Sequence, residues 1–145
     1  MKRRASAVWQ GTGLEGKGVL NTQSRAFFQT PYSFKTRFKN EDGILGTNPE
    51  ELIAAAHASC FAMALSFGIA GAGFSADSLN VDATVTIDAV EGGFAITGIT
   101  LDLVGKVAGM KKAQFIELAN SAKEGCPISK ALSAVPITLN INFEK

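Results

Sequence analysis

The chain has 145 residues, of which 46% are apolar and 19% charged, with a formal net charge of +1. That is enough for one domain, residues 1–145, whose core does not depend on disulfides. The near-neutral charge gives no electrostatic case for nucleic acid. No uninterrupted apolar run reaches the roughly 18 residues of a membrane span, and "MKRR" is not followed by a signal-type stretch, so a soluble cytoplasmic protein is expected.

The first third reads as strands. "SAVWQG" and "GVLNTQS" are short β candidates divided by a glycine-rich turn around Gly11 to Gly18. "YSFKTRF" alternates, with Tyr32, Phe34, Thr36 and Phe38 on one face and Ser33, Lys35 and Arg37 on the other, which predicts a strand. A polar loop, "KNEDGILGT", follows.

"TNPEEL" is the strongest helix start: Asn48 suits the N-cap, Pro49 the first helical position, and Glu51 a capping box. The helix should run to Gly71 and Gly73. Beyond its first turn only His57 can carry a charge, and a helix apolar all round is expected to be surrounded by protein. "LNVDATVTIDAV" and "FAITGITLDLVGKV" then alternate across the turn "EGG", a hairpin with a bulge expected at Thr97-Gly98. "MKKAQFIELANSAKE" predicts an amphipathic helix ending at Gly125, and "CPISKALSA" a short one with Cys126 at its N-cap and Pro127 first. "PITLNINF" closes the chain as a strand. The pattern predicts an α+β fold with mostly antiparallel sheets around a long central apolar helix.

Cys60 and Cys126 are the only cysteines and His57 the only histidine. A helix N-terminus favours the thiolate, so Cys126 is placed for redox chemistry. Cys60 lies about twelve residues into its helix, where apolar surroundings raise a thiol's pKa and leave it inert. It becomes a nucleophile only if a cation is brought to it. His57, three residues earlier, can supply one when protonated, and an arginine from a strand can do so at every relevant pH. Zinc is a competing reading, with His57, Cys60 and Cys126 as ligands and Glu50 or Glu51 as a fourth, but the second close pair of a structural site is missing. A Cys–His dyad lacks both an orienting third group and an oxyanion hole. His57 reads as a packing or interface residue that tunes its neighbour.

The stretch "GTNPEELIAAAHASCFAMALS" together with "EGCPISKAL", with "PYSFKTRF" and "DAVEGGFAIT" in support, resembles the osmotically inducible protein C branch of the organic hydroperoxide resistance (OsmC/Ohr) family. The resemblance implies an intertwined homodimer and a thiol peroxidase that uses no metal, haem or other cofactor. Carried over by motif, Cys60 resembles the peroxidatic cysteine and Cys126 the resolving one. Arg37 resembles the arginine that stabilises the thiolate, and Glu50 the carboxylate that holds it. The implied partners are an organic hydroperoxide and an external dithiol of lipoyl or thioredoxin type, with neither nucleic acid nor membrane.

Glu50 and Cys60 are ten residues apart, about 15 Å along an ideal helix and some 80° around it. Arg37 does not comfortably serve both within one chain unless the glutamate turn is distorted. The alternative is that Arg37 and Glu50 of one subunit act on Cys60 of the other. Ile53, Phe61, Met63, Ala64 and Phe67 are expected to wall the site against water. A non-catalytic redox-sensing or binding domain is the alternative reading of the same cysteines.

Overall fold

A computed structural model describes residues 1–39 and 46–144. Most of the expected polar loop lies outside them. The chain divides into two compact units, Met1–Leu52 and Ile53–Lys145.

The first unit holds a three-stranded antiparallel sheet of β1 (Ala5–Gln10), β2 (Lys17–Thr22) and β3 (Thr30–Ser33) in that order. Its register sets Gly18 between Trp9 and Tyr32. A Cβ on Gly18 would come within 2.2 Å of the Tyr32 ring, so glycine there is what lets the two rings approach to 5.3 Å.

One sequence expectation fails here. "YSFKTRF" is not a single strand: β3 stops at Ser33, and Phe34–Phe38 form a helical turn, α1. The Ser33 hydroxyl accepts from the Thr36 N–H, and the Thr36 hydroxyl accepts from the Ser33 N–H, a capping box closed by threonine in place of the usual Glu or Gln. The aromatic alternation that mimics a strand is overridden by this local cap.

The long helix α2 (Pro49–Gly71) starts where expected. Asn48 caps it by accepting from the Glu51 N–H at 2.9 Å, and the Glu51 carboxylate accepts from the Thr47 hydroxyl instead of reaching back to the cap. It ends near Gly73, whose φ of 85° suits glycine.

In the second unit, β4 (Ser78–Val90) and β5 (Gly93–Lys106) form the expected hairpin. Thr86 faces Gly98 while Ile87 faces Ile96, leaving Thr97 as the bulged residue, and its hydroxyl donates to Asp88. After α3 (Lys112–Gly125) and α4 (Pro127–Ala131), β6 (Ile137–Glu144) pairs with β5 in parallel, a departure from the antiparallel pattern. The helical crossover brings the chain back to the same end of the sheet, which forces that direction.

One face of this sheet, through Leu101, Leu103 and their neighbours on β4 and β6, packs on Phe61, Leu65 and Ile69 of α2 and Phe115 and Ala119 of α3. By length and composition α2 is able to cross a membrane, but those three buried side chains make it a core helix. The expectation that protein surrounds it on every side is not met within one chain. Met63 is 61% exposed and Phe67 72% exposed, on a stripe continued by Ala55, Ala56, Ser59 and Ala70.

Candidate active site

The four residues singled out by sequence fall into two pairs. In the first unit α1 presents Arg37 and the first turn of α2 presents Glu50. Arg37 Nε donates to one carboxylate oxygen of Glu50 at 3.1 Å, and a terminal guanidinium nitrogen donates to the other at 2.6 Å. This two-pronged contact fixes the guanidinium plane, which a single ammonium cannot do. Glu50 is nearly buried, whereas the Arg37 side chain keeps 36% exposure and rests on the Phe38 ring at 5.0 Å. Beside it lies a pocket of about 150 Å³ whose lining includes Trp9, Tyr32, Phe34, Phe38 and Pro49.

In the second unit α2 and the turn from α3 into α4 bring the two sulfurs together. Cys60 Sγ and Cys126 Sγ are 2.9 Å apart in hydrogen-bond contact, both free thiols. Their residues are 66 positions apart in sequence. Burial, reinforced by the neighbouring Cys126, pushes the Cys60 thiol up, with the Ile128 N–H pulling weakly the other way. For Cys126 burial also opposes ionisation and is the largest single influence. Contacts from Cys60, from the N–H and hydroxyl of Ser129 and from the Ile128 N–H together outweigh it and hold this thiol below its ordinary value. Cys126 makes no side-chain capping bond at the start of α4.

His57 is fully buried, with Nε2 2.8 Å from the Ser129 hydroxyl and Nδ1 without a hydrogen-bond partner among the described residues. Burial lowers its pKa, so the ring is neutral near pH 7 and brings no positive charge to the sulfurs. Among the described residues no cluster of three or more His, Cys, Asp or Glu is arranged to hold a metal ion.

The expected hydrocarbon wall is redistributed. Phe61 belongs to the core, while Met63 and Phe67 point outward. Sequence reasoning passed over Trp9 and over Ser129. The rings at Tyr32, Phe34 and Phe38 were visible as an alternating face, but nothing in the spacing marked Ser129.

A family model described as OsmC-like protein matches residues 39–141. Over 142 residues the chain is 46% identical to a protein of Escherichia coli (strain K12) named Peroxiredoxin OsmC, covering 98% of this chain and 96% of that one. The chain belongs to the OsmC-like family. It is also 42% identical over 93 residues to the organic hydroperoxide resistance protein OhrB of Bacillus subtilis (strain 168), covering 63% of this chain and 65% of that protein. The crystal structure of OhrB from Bacillus subtilis superposes with a TM-score of 0.71 at 27% identity, covering 96% and 98% of the two chains. A crystal structure of an OsmC-like protein from Mycoplasma pneumoniae shares the fold at TM-score 0.77 and 16% identity, covering 100% of this chain and 99% of that one. The α+β fold of this family is thereby the fold of this chain.

Proposed function

We propose that this protein is a cysteine-based peroxidase that reduces organic hydroperoxides to alcohols, with Cys60 as the attacking sulfur and Cys126 as its resolver. The observation that carries the reading is the 2.9 Å approach of the two thiols, one on the long helix and one at the start of α4. The relatives' names, peroxiredoxin and organic hydroperoxide resistance protein, point the same way.

The Cys60 thiolate attacks the distal peroxide oxygen. The O–O bond breaks, the alkoxide leaves and takes a proton to become the alcohol, and Cys60 is oxidised to a sulfenic acid. The Cys126 thiolate then attacks that sulfur: an S–S bond forms, the S–O bond breaks, and hydroxide leaves to become water with the proton released by Cys126. An external dithiol, of lipoyl or thioredoxin type, reduces the disulfide and restores both thiols. No cofactor takes part.

A partly buried Cys60 whose thiol is pushed up does not ionise unaided. In this reading Arg37, aimed and neutralised by Glu50, supplies the missing charge across the interface of a homodimer. It stabilises the thiolate and donates to the peroxide oxygens as charge develops. The uncovered stripe of α2 through Met63 and Phe67 is the surface a second copy would bury. The aromatic pocket beside Arg37 favours an organic tail over hydrogen peroxide. Two free thiols suit the reducing cytoplasm as the working compartment. The whole chain, 1–145, then functions as one OsmC-like domain.

The test is single turnover. Reduced protein mixed with one equivalent of cumene hydroperoxide should consume it stoichiometrically and form the Cys60–Cys126 disulfide, and Cys60→Ser should consume none. No loss of hydroperoxide with the reduced wild-type protein overturns the reading and leaves a non-catalytic redox domain.

A further inference from the structure

His57 is a poor choice for packing alone. It is a fully buried imidazole with one nitrogen bonded to Ser129 and the other orphaned among the described residues, and an apolar side chain of similar size would fill the space without an unpaired polar atom. The orphan decides the tautomer. Buried N–H groups without an acceptor are rarer and costlier than buried acceptors without a donor, so the bare nitrogen is Nδ1 and the proton sits on Nε2. Nε2–H then donates to the Ser129 oxygen at 2.8 Å. A hydroxyl that accepts there has its own hydrogen left to give elsewhere. Cys126 is the N-cap of α4 and Ser129 its third residue, so the two buried side chains lie on one face, one helical turn apart, and the Ser129 hydroxyl is among the groups that favour the Cys126 anion.

We propose that His57 is a positioning residue: its Nε2–H orients the Ser129 hydroxyl so that the hydroxyl proton faces the Cys126 sulfur and favours that sulfur as the anion that closes the disulfide. The assignment of Cys126 as resolver rests on the function proposed above, whereas the hydrogen-bond order does not. The relay consumes nothing. His57 and Ser129 keep their protons throughout, and the proton lost by Cys126 leaves with the hydroxide of the Cys60 sulfenic acid as water. His57 thus acts on the second chemical step through Ser129 and on neither the peroxide nor Cys60.

Because His57 is the only histidine, its ring nitrogens can be read directly in the uniformly ¹⁵N-labelled native protein. Long-range ¹H–¹⁵N spectra of the reduced protein at pH 7 should show the Nε2–H tautomer, and the Nδ1–H tautomer or a protonated ring overturns the proposal. The kinetic arm measures, after one equivalent of cumene hydroperoxide, the rate of disulfide closure relative to the rate of hydroperoxide loss. Ser129→Ala should lower that ratio about tenfold, as expected for losing one hydrogen bond to a charged group, and His57→Gln, which keeps an amide N–H, should lower it less. Ser129→Thr should restore it to within about threefold, since the hydroxyl returns. An unchanged ratio in Ser129→Ala overturns the relay. If even the wild-type protein consumes no hydroperoxide, the peroxidase reading fails and the tautomer alone judges the hydrogen-bond order; if the variants do not fold, the native spectrum still decides.

Discussion

Glu50→Gln isolates what the carboxylate does for Arg37. The wild-type contact has two prongs, 3.1 Å from Nε and 2.6 Å from the terminal nitrogen, each to its own oxygen. A glutamine offers one oxygen. Its amide nitrogen would face a guanidinium N–H, so one bond is lost together with the negative charge. A hydrogen bond between charged groups is worth about 1.5–3 kcal/mol. Arg37 is 36% exposed, so water competes for it and the lower end of about 1.5 kcal/mol applies. If that energy serves to hold the guanidinium against the thiolate and the peroxide, the first oxidation step slows about tenfold. Stopped-flow measurement of hydroperoxide loss at several concentrations gives the rate constant, and the pH profile of Cys60 alkylation in a Cys126→Ser background should move to higher pH in parallel. The stability cost from the helix N-terminus is only about 0.3–1 kcal/mol, so the folded variant is measurable. A first step within twofold of wild type, with an unmoved alkylation profile, would refute the role given to the pair.

The Cys126→Ser variant should complete one turnover and then accumulate sulfinic acid on Cys60, read by intact mass; a clean recycling enzyme would remove Cys126 from the mechanism. In mixed dimers whose cysteine-intact sites face only Arg37→Ala partners, peroxide reduction should be lost, and full activity there would place the arginine in the same subunit as the sulfur. Gly105→Ala would set a Cβ 2.1 Å from Phe115 Cζ, in a fully buried ring packed at a tilt against Phe143 at 4.6 Å; urea unfolding should show a loss of about 1–3 kcal/mol. Because burial lowers the His57 pKa, the unfolded chain binds the extra proton first as pH falls below about 6.5. His57 therefore contributes a stability loss from there down to its folded pKa, with a slope of at most about 1.4 kcal/mol per pH unit. Denaturation curves of wild type and His57→Gln between pH 7 and pH 5, read as differences, should show that slope in the wild type alone.

What was legible in the sequence is what short-range patterns encode. The start of α2 is written in Asn48 and Pro49, and the hairpin and its bulge in an alternation that slips at Thr97. Two opposed signals made α1 illegible. Tyr32, Phe34 and Phe38 alternate like a strand, and the Ser33–Thr36 cap that overrules them uses a threonine where the familiar pattern has Glu or Gln. The parallel pairing of β6 depends on a crossover that spacing does not reveal. The approach of Cys60 to Cys126 spans 66 positions, beyond any periodicity, and came only from the motif resemblance. Ser129 gave no signal at all, because a serine inside a short helical turn looks like any polar surface residue until the ring of His57 is found against it.

On the proposed reading, the pair of sulfurs carries an order problem. Burial holds Cys60 as a thiol, while the groups at the start of α4 ease Cys126 toward the anion. On that reading the sulfur meant for the peroxide is the one burial holds protonated, while Cys126, at 0% exposure, is the readier anion. Reversing that order takes a fixed positive charge at Cys60 that does not equally favour Cys126. The neutral His57 cannot provide it, and the Arg37–Glu50 pair is built as an aimed cation with its countercharge attached. The α2 helix also leaves its Met63–Phe67 stripe bare in the single chain. On the proposed reading both deficits are met by one event. A second copy covers the stripe and delivers the guanidinium, so Cys60 becomes reactive only in the assembled protein, and Cys126 keeps the anion-favouring surroundings that the later step needs.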